Sequence, residues 1–178
     1  KRKGAIPMDV EVLNQYFSQY GIIVVFIIVF LEYLNLPGFP AGIIMPLAGV
    51  WASKGGVNII LVISLSVLAG LLGSWALYFL GRFFGEFILE KYLKKFPKHE
   101  VAINKNFKIL REKGSMGVFI SKLLPMARTL ISIPAGVLKL DFVKYTVSST
   151  LGIFIWNFVF IGAGYVFGEA VFQKLTFL

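Results

Sequence analysis

The sequence has no cysteine and a single histidine, His99. No disulfide framework can form, and no thiol can serve as nucleophile or metal ligand. A zinc site of the usual kind needs several Cys or His ligands, so this chain cannot assemble one. Charge is scarce too: 15% of the 178 residues are Asp, Glu, Lys or Arg, against about 25% in an ordinary soluble domain. Acids are scarcest, nine against eighteen Lys and Arg, for a net charge of +9. Hydrophobic residues make up 57%, and the mean hydropathy is +0.80. A water-soluble globule of this size has too little interior to hide so much apolar surface. That excludes an ordinary cytosolic enzyme, and the same apolar content excludes a disordered chain. The length fits one domain.

Several chemistries are missing as motifs. No Gly-x-x-x-x-Gly-Lys-Ser/Thr loop is present, so ATP is not a direct driver. No cluster of Asp and Glu offers carboxylates to paired metal ions. Lys122 and Arg128 faintly match the Lys/Arg element of acid-phosphatase-like lipid phosphatases, but that chemistry needs two histidines. A serine protease of the membrane interior needs Ser paired with His or Lys. Ser121 adjoins Lys122, yet sequence neighbours diverge on a helix. The chain therefore reads as a non-enzyme without metal or cofactor. Its basic charge does not point to nucleic acid, because the cations gather between apolar stretches, where anionic lipid or phosphate is the partner.

Apolar runs dominate what is present. Residues 57–81 and 145–168 carry no charge, and each exceeds the roughly 20 residues needed to cross a bilayer core. Both predict spanning helices. Residues 8–20 mix Asp9, Glu11, Asn14 and Gln19 with Val12, Leu13, Tyr16 and Phe17, a spacing that predicts an amphipathic interfacial helix. Residues 21–36 form a further, short span. Residues 82–113 hold nine basic and four acidic residues and predict a cytoplasmic segment.

Two apolar segments are broken. Five of the seven prolines fall in them: Pro37, Pro40 and Pro46 within 36–53, Pro125 and Pro134 within 114–138. Proline removes a helix donor and kinks the chain. Irregular backbone at membrane depth survives only inside protein or beside a wet cavity. Both segments are expected to be re-entrant hairpins; two kinked spanning helices are the alternative. The halves also echo each other. Ala48-Gly49-Val50 and Ala135-Gly136-Val137 each precede a helix carrying Trp75 or Trp156, and those helices end in Gly81-x-x-x-Gly85 and Gly164-x-x-x-Gly168. Paired interrupted segments point to a transporter with internal repeats; easier helix packing by small residues is the other reading. Such Gly-x-x-x-Gly pairs also permit a homodimer.

A charge inside an apolar segment is expensive, about 2.5–3.5 kcal/mol on insertion scales. Glu32, Lys122 and Arg128 are placed this way. In an unbroken helix Lys122 and Arg128 would point apart, about 240° around the axis. A turn at Pro125 lets them face one pocket, where Glu32 or a lipid phosphate supplies the opposing charge. Arg offers a planar fork for phosphate oxygens and Lys a mobile point charge. Glu32 is either a proton carrier or a static partner of Arg128. Snorkelling to water is the competing account of both cations. Arg82 and Trp156 are secondary candidates.

The order of these residues resembles the DedA family, also called SNARE-associated or VTT-domain membrane proteins. The likeness runs from Ile22 to Gly168 through Glu32, Pro37-Gly38-Phe39-Pro40, Leu47-Ala48-Gly49, Gly73-Ser74-Trp75, Gly81-Arg82, Lys122-x-x-Pro125-x-x-Arg128-Thr129, Ala135-Gly136, Trp156 and Gly164-Tyr165. The resemblance implies an all-α, multi-pass protein of the cytoplasmic membrane with two opposed hairpins. It implies movement of a phosphate-bearing lipid between leaflets, undecaprenyl phosphate first, phosphatidylethanolamine or other phospholipids as alternatives. An ion antiporter and an assembly factor without transport remain the other classes. The family's acidic residue before hairpin one falls on Glu32, and its two basic residues on Lys122 and Arg128. This chain departs in lacking a second acid near Gly42, and in having Lys122 where Arg is common. The first departure puts proton coupling in question and makes the site more positive.

Overall fold

This computed structural model describes residues 21–34, 43–55, 57–125 and 127–175, and all the regular structure among them is helical. The helix expected at 8–20 lies outside the described residues, as do Pro37, Pro40 and the first part of the segment expected to form hairpin one. The helices are α1 (Ile22–Tyr33), α2 (Ile44–Lys54), α3 (Ile59–Lys95), α4 (Glu100–Lys122), α5 (Ala127–Leu130), α6 (Ser132–Val137) and α7 (Phe142–Leu175). A single 3₁₀ turn, Pro97–His99, joins α3 to α4.

Among the described residues, two helical stretches are long and apolar enough to cross a membrane, Ile59–Gly85 and Phe142–Gly168, 27 residues each. At 1.5 Å per residue each is about 40 Å long, more than a core of about 30 Å. The charge-free windows ended at Gly81 and Gly168, but the helices run on. Charges end the hydrocarbon-compatible stretch, and Lys and Glu are good helix formers. The α3 helix bends at Gly85, whose φ of 47° and ψ of −127° suit glycine alone. By contrast α1 has only 12 residues, about 18 Å, where the sequence suggested a span over 21–36.

Proline is used alike in the two short helices. Pro46 and Pro134 are each the third residue of their helix, α2 and α6. There the missing N–H would have had no partner within the helix. Around Pro125 the chain turns after α4, with Leu124 N–H donating to Ser121 O (3.1 Å) and Arg128 N–H to Leu124 O (3.0 Å). The segment 114–138 thus contains the end of α4, this turn, α5 and α6. The segment 82–113 contains the end of α3, the 3₁₀ turn and the start of α4.

The short helices pack crosswise. Helix α2 lies against α7, and α6 lies against α3. Glycines bring the backbones into contact. A Cβ on Gly49 would strike Ile161 O, and one on Gly164 would strike Pro46 O; a Cβ on Gly136 would strike Tyr78 O, and one on Gly81 would strike Ile133 O. Each short helix therefore belongs to one half of the sequence and seats on the long helix of the other half.

Large apolar side chains stand exposed while several polar ones are buried within the apolar core. Ile60, Phe83, Val143 and Val166 are 68–73% exposed and Leu68, Leu151 and Phe158 are 46–55% exposed, while Glu32, Ser66, Ser74, Lys122, Arg128 and Asn157 are buried. Many large apolar side chains exposed along the long helices suit a membrane protein.

Candidate functional site

Three ionisable side chains meet in the interior. Glu32 stands on the last turn of α1, Lys122 ends α4, and Arg128 lies in α5. Arg128 and Lys122 are wholly buried. The Arg128 guanidinium forms an ion pair with Glu32, and its Nη1 donates to the Tyr33 hydroxyl at 3.3 Å. It also lies over the faces of Trp156 (4.8 Å) and Tyr33 (5.1 Å). A guanidinium between aromatic faces is held by the ring quadrupoles, which fixes its plane. Arg128 Nε and Trp156 Nε1 have no hydrogen-bond partner among the described residues.

Lys122 sits beside this pair in a pocket of hydroxyls. Its ammonium donates to Ser74 Oγ (2.8 Å) and Ser132 Oγ (3.1 Å) and lies 5.6 Å from the Tyr33 ring centre. Among the described residues no carboxylate pairs with it. Gly152 makes room for it: a Cβ there would run into the Lys122 side chain. The Tyr145 hydroxyl donates to Ser74 O at 3.0 Å, holding α3 and α7 together at this level.

A polar chain continues inward from Tyr33. Its hydroxyl donates to Asn157 Oδ1 (3.4 Å), Asn157 Nδ2 donates to Ser66 Oγ (3.0 Å), and Ser66 Oγ donates to Ile63 O (2.7 Å). Small residues shape the space, since a Cβ on Gly70 or Gly73 would press on Tyr33.

The structure thus brings Glu32, Lys122, Arg128 and Trp156 together. Arg82 is elsewhere: it is exposed and donates to the Tyr78 hydroxyl at 2.7 Å. Pro46, Pro134 and Gly136 lie in the seams that carry the short helices. Pro125 forms the turn between the two buried cations. Tyr33, Ser132, Tyr145 and Asn157 were not singled out from the sequence, and Ser74 entered only as part of the family likeness. Their signal was a polar atom inside an apolar run, which a search for charges passes over. Among the described residues no three His, Cys, Asp or Glu side chains are placed to hold a metal.

Chemically, the arrangement sets more positive than negative charge in a buried interior. It carries two cations, one carboxylate and N–H donors left open beside the guanidinium. Burying charge in an apolar interior is costly, about 2.5–3.5 kcal/mol on insertion scales.

The family model described as VTT domain matches residues 39–166. The chain is similar to undecaprenyl phosphate transporter A of Staphylococcus aureus, 30% identical, over 93% of this chain and 83% of that protein. It is similar to a protein of the same name from Bacillus subtilis, 30% identical, over 73% and 66%. An alkaline phosphatase-like protein of Lactococcus lactis is 29% identical, over 89% and 76%. No solved structure matches.

Proposed function

The chain belongs to the VTT-domain family of membrane proteins, and from that premise we propose that it carries a phosphate-bearing lipid between the leaflets of a bacterial cytoplasmic membrane, without covalent chemistry. Undecaprenyl phosphate is the substrate favoured by the names of its relatives. The observation that carries the reading is the meeting of Arg128, Lys122 and Glu32 in an interior walled by lipid-facing helices.

The headgroup phosphate enters between the hairpins while its tail stays in the bilayer. It takes the open edge of the Arg128 guanidinium and the Trp156 N–H, and Lys122 turns its ammonium from the serines toward the phosphate. Charge-assisted bonds of this kind are roughly twice as strong as neutral ones, which offsets the loss of phosphate hydration. Glu32 competes with the phosphate for Arg128. Protonating Glu32 frees Arg128 for the phosphate, and ionising it expels the phosphate, so a proton gradient can set direction. The crosswise glycine seams let each short helix slide along the opposite long helix, opening one face at a time.

Proteoliposomes test this. A fluorescent polyprenyl phosphate should change leaflets with wild type and not with the Glu32→Gln/Arg128→Gln variant, while the matching polyprenol does not move. Equal movement of the polyprenol, or ion flux without lipid movement, would overturn the reading.

A further inference from the structure

Away from the buried centre, a cavity of about 700 Å³ opens between the first half of α4 and the end of α6. Phe107, Val137 and Leu138 give it an apolar wall, and Lys108, Arg111 and Glu112 stand around it. The α4 helix sorts its faces in an unusual way here. Ile103, Asn106 and Leu110 are buried against the protein. Asn104, Phe107, Lys108 and Arg111 follow the i, i+3, i+4, i+7 spacing of a single stripe, and that stripe lines the cavity. Exposed cations at the rim of a half-apolar recess suit an anion that brings its own apolar part. None of Lys108, Arg111 and Glu112 forms a salt bridge among the described residues.

Two further features set the cavity in place. Its wall at Val137 and Leu138 is the end of α6, the helix whose first residue, Ser132, holds Lys122. The α4 stripe ends just before Gly114, where φ is 54° and ψ −128°, a conformation open to glycine. No atom outside its immediate surroundings comes within 4 Å of where its Cβ would stand.

We propose that this cavity is an interfacial waiting site for the same class of ligand, a lipid phosphate, held by Lys108 and Arg111 with the first part of its tail against Phe107 and Leu138. The proposal rests on the lipid-phosphate reading above and adds a second station, outside the buried centre and on the side bearing the basic segment. Glu112 lowers the local charge to +1, which holds one headgroup without trapping it. Movement of α6 couples the stations, because one end walls the cavity and the other end positions the partner of Lys122.

The full chain in detergent, with a photoreactive farnesyl phosphate as probe, tests it. Crosslinks should fall on residues 104–112 and 137–138. Unlabelled farnesyl phosphate should compete, whereas farnesol and inorganic phosphate at the same concentration should not. In Lys108→Gln/Arg111→Gln the labelling there should fall about tenfold; both side chains are exposed, so the fold is kept. In Glu32→Gln/Arg128→Gln it should persist. Undiminished labelling in Lys108→Gln/Arg111→Gln, or equal competition by farnesol, would overturn the site. Equal competition by inorganic phosphate would overturn it as a lipid site. Labelling that behaves as expected in a wild type that moves no lipid would uphold the site and sink the transport reading alone.

Discussion

Removing Arg128 while leaving Glu32 tests the energetic core of the site. The ion pair is dry, with side-chain exposures of 0% for Arg128 and 2% for Glu32. Solvent therefore screens neither group. Arg128→Gln leaves a buried carboxylate without its main cation, and breaking a buried pair from one side costs about 3–5 kcal/mol. The same change removes the guanidinium from the Trp156 and Tyr33 faces, about 1–2 kcal/mol more when desolvated. Glu32→Gln leaves the cation, which keeps the rings and the Tyr33 hydroxyl, so its cost should lie at the low end, about 3 kcal/mol. The double variant carries two neutral amides that can bond to each other. Its loss should be smaller than that of Arg128→Gln alone, and the coupling between the sites should exceed about 2 kcal/mol. Unfolding of the purified protein in mixed detergent micelles, followed by helix content, measures all four species. Single losses below about 1 kcal/mol, or additivity within about 0.5 kcal/mol, would refute a dry, tightly coupled pair.

Two further outcomes follow from the packing. Gly49→Ala and Gly136→Ala, each aimed at an opposing backbone carbonyl, should destabilise by about 1–3 kcal/mol and slow lipid movement; Gly162→Ala, which meets nothing within 4 Å, should be neutral or slightly stabilising in the same melts, and equal losses at all three positions would remove the case for the seams. Lys122→Met keeps volume and takes away the buried charge, so stability should hold within about 1.5 kcal/mol while transport of the phosphate lipid is lost; transport at the wild-type rate would take Lys122 out of the site.

The site's charged members were legible because charge inside an apolar run is conspicuous. Glu32, Lys122 and Arg128 stood out on that ground alone, and the Pro125 turn explained how two cations six residues apart could share a space. Their neighbours were not legible. Ser74, Ser132 and Tyr145 cost little to insert in a membrane, so nothing in the sequence separates a hydroxyl that holds Lys122 from one that bonds its own helix, as Thr150 does to Thr146 O. The two long helices were visible as charge-free windows, though their ends were not, since helix propensity continues through Glu90, Lys91 and Lys94 after the apolar run stops. The repeat of Ala-Gly-Val before each long helix was visible as well. Which long helix each glycine would touch was not, because small residues announce a close approach without naming the surface approached.

The crosswise seating of α2 on α7 has a bearing on synthesis. Gly49 meets backbone that is made roughly 115 residues later. At about 5–20 residues per second, the first short helix waits roughly 6–23 s for its seat. During that time its glycine face has no α7 backbone to lie against. The first half of the chain thus keeps an unfinished surface in the membrane until α7 has been made.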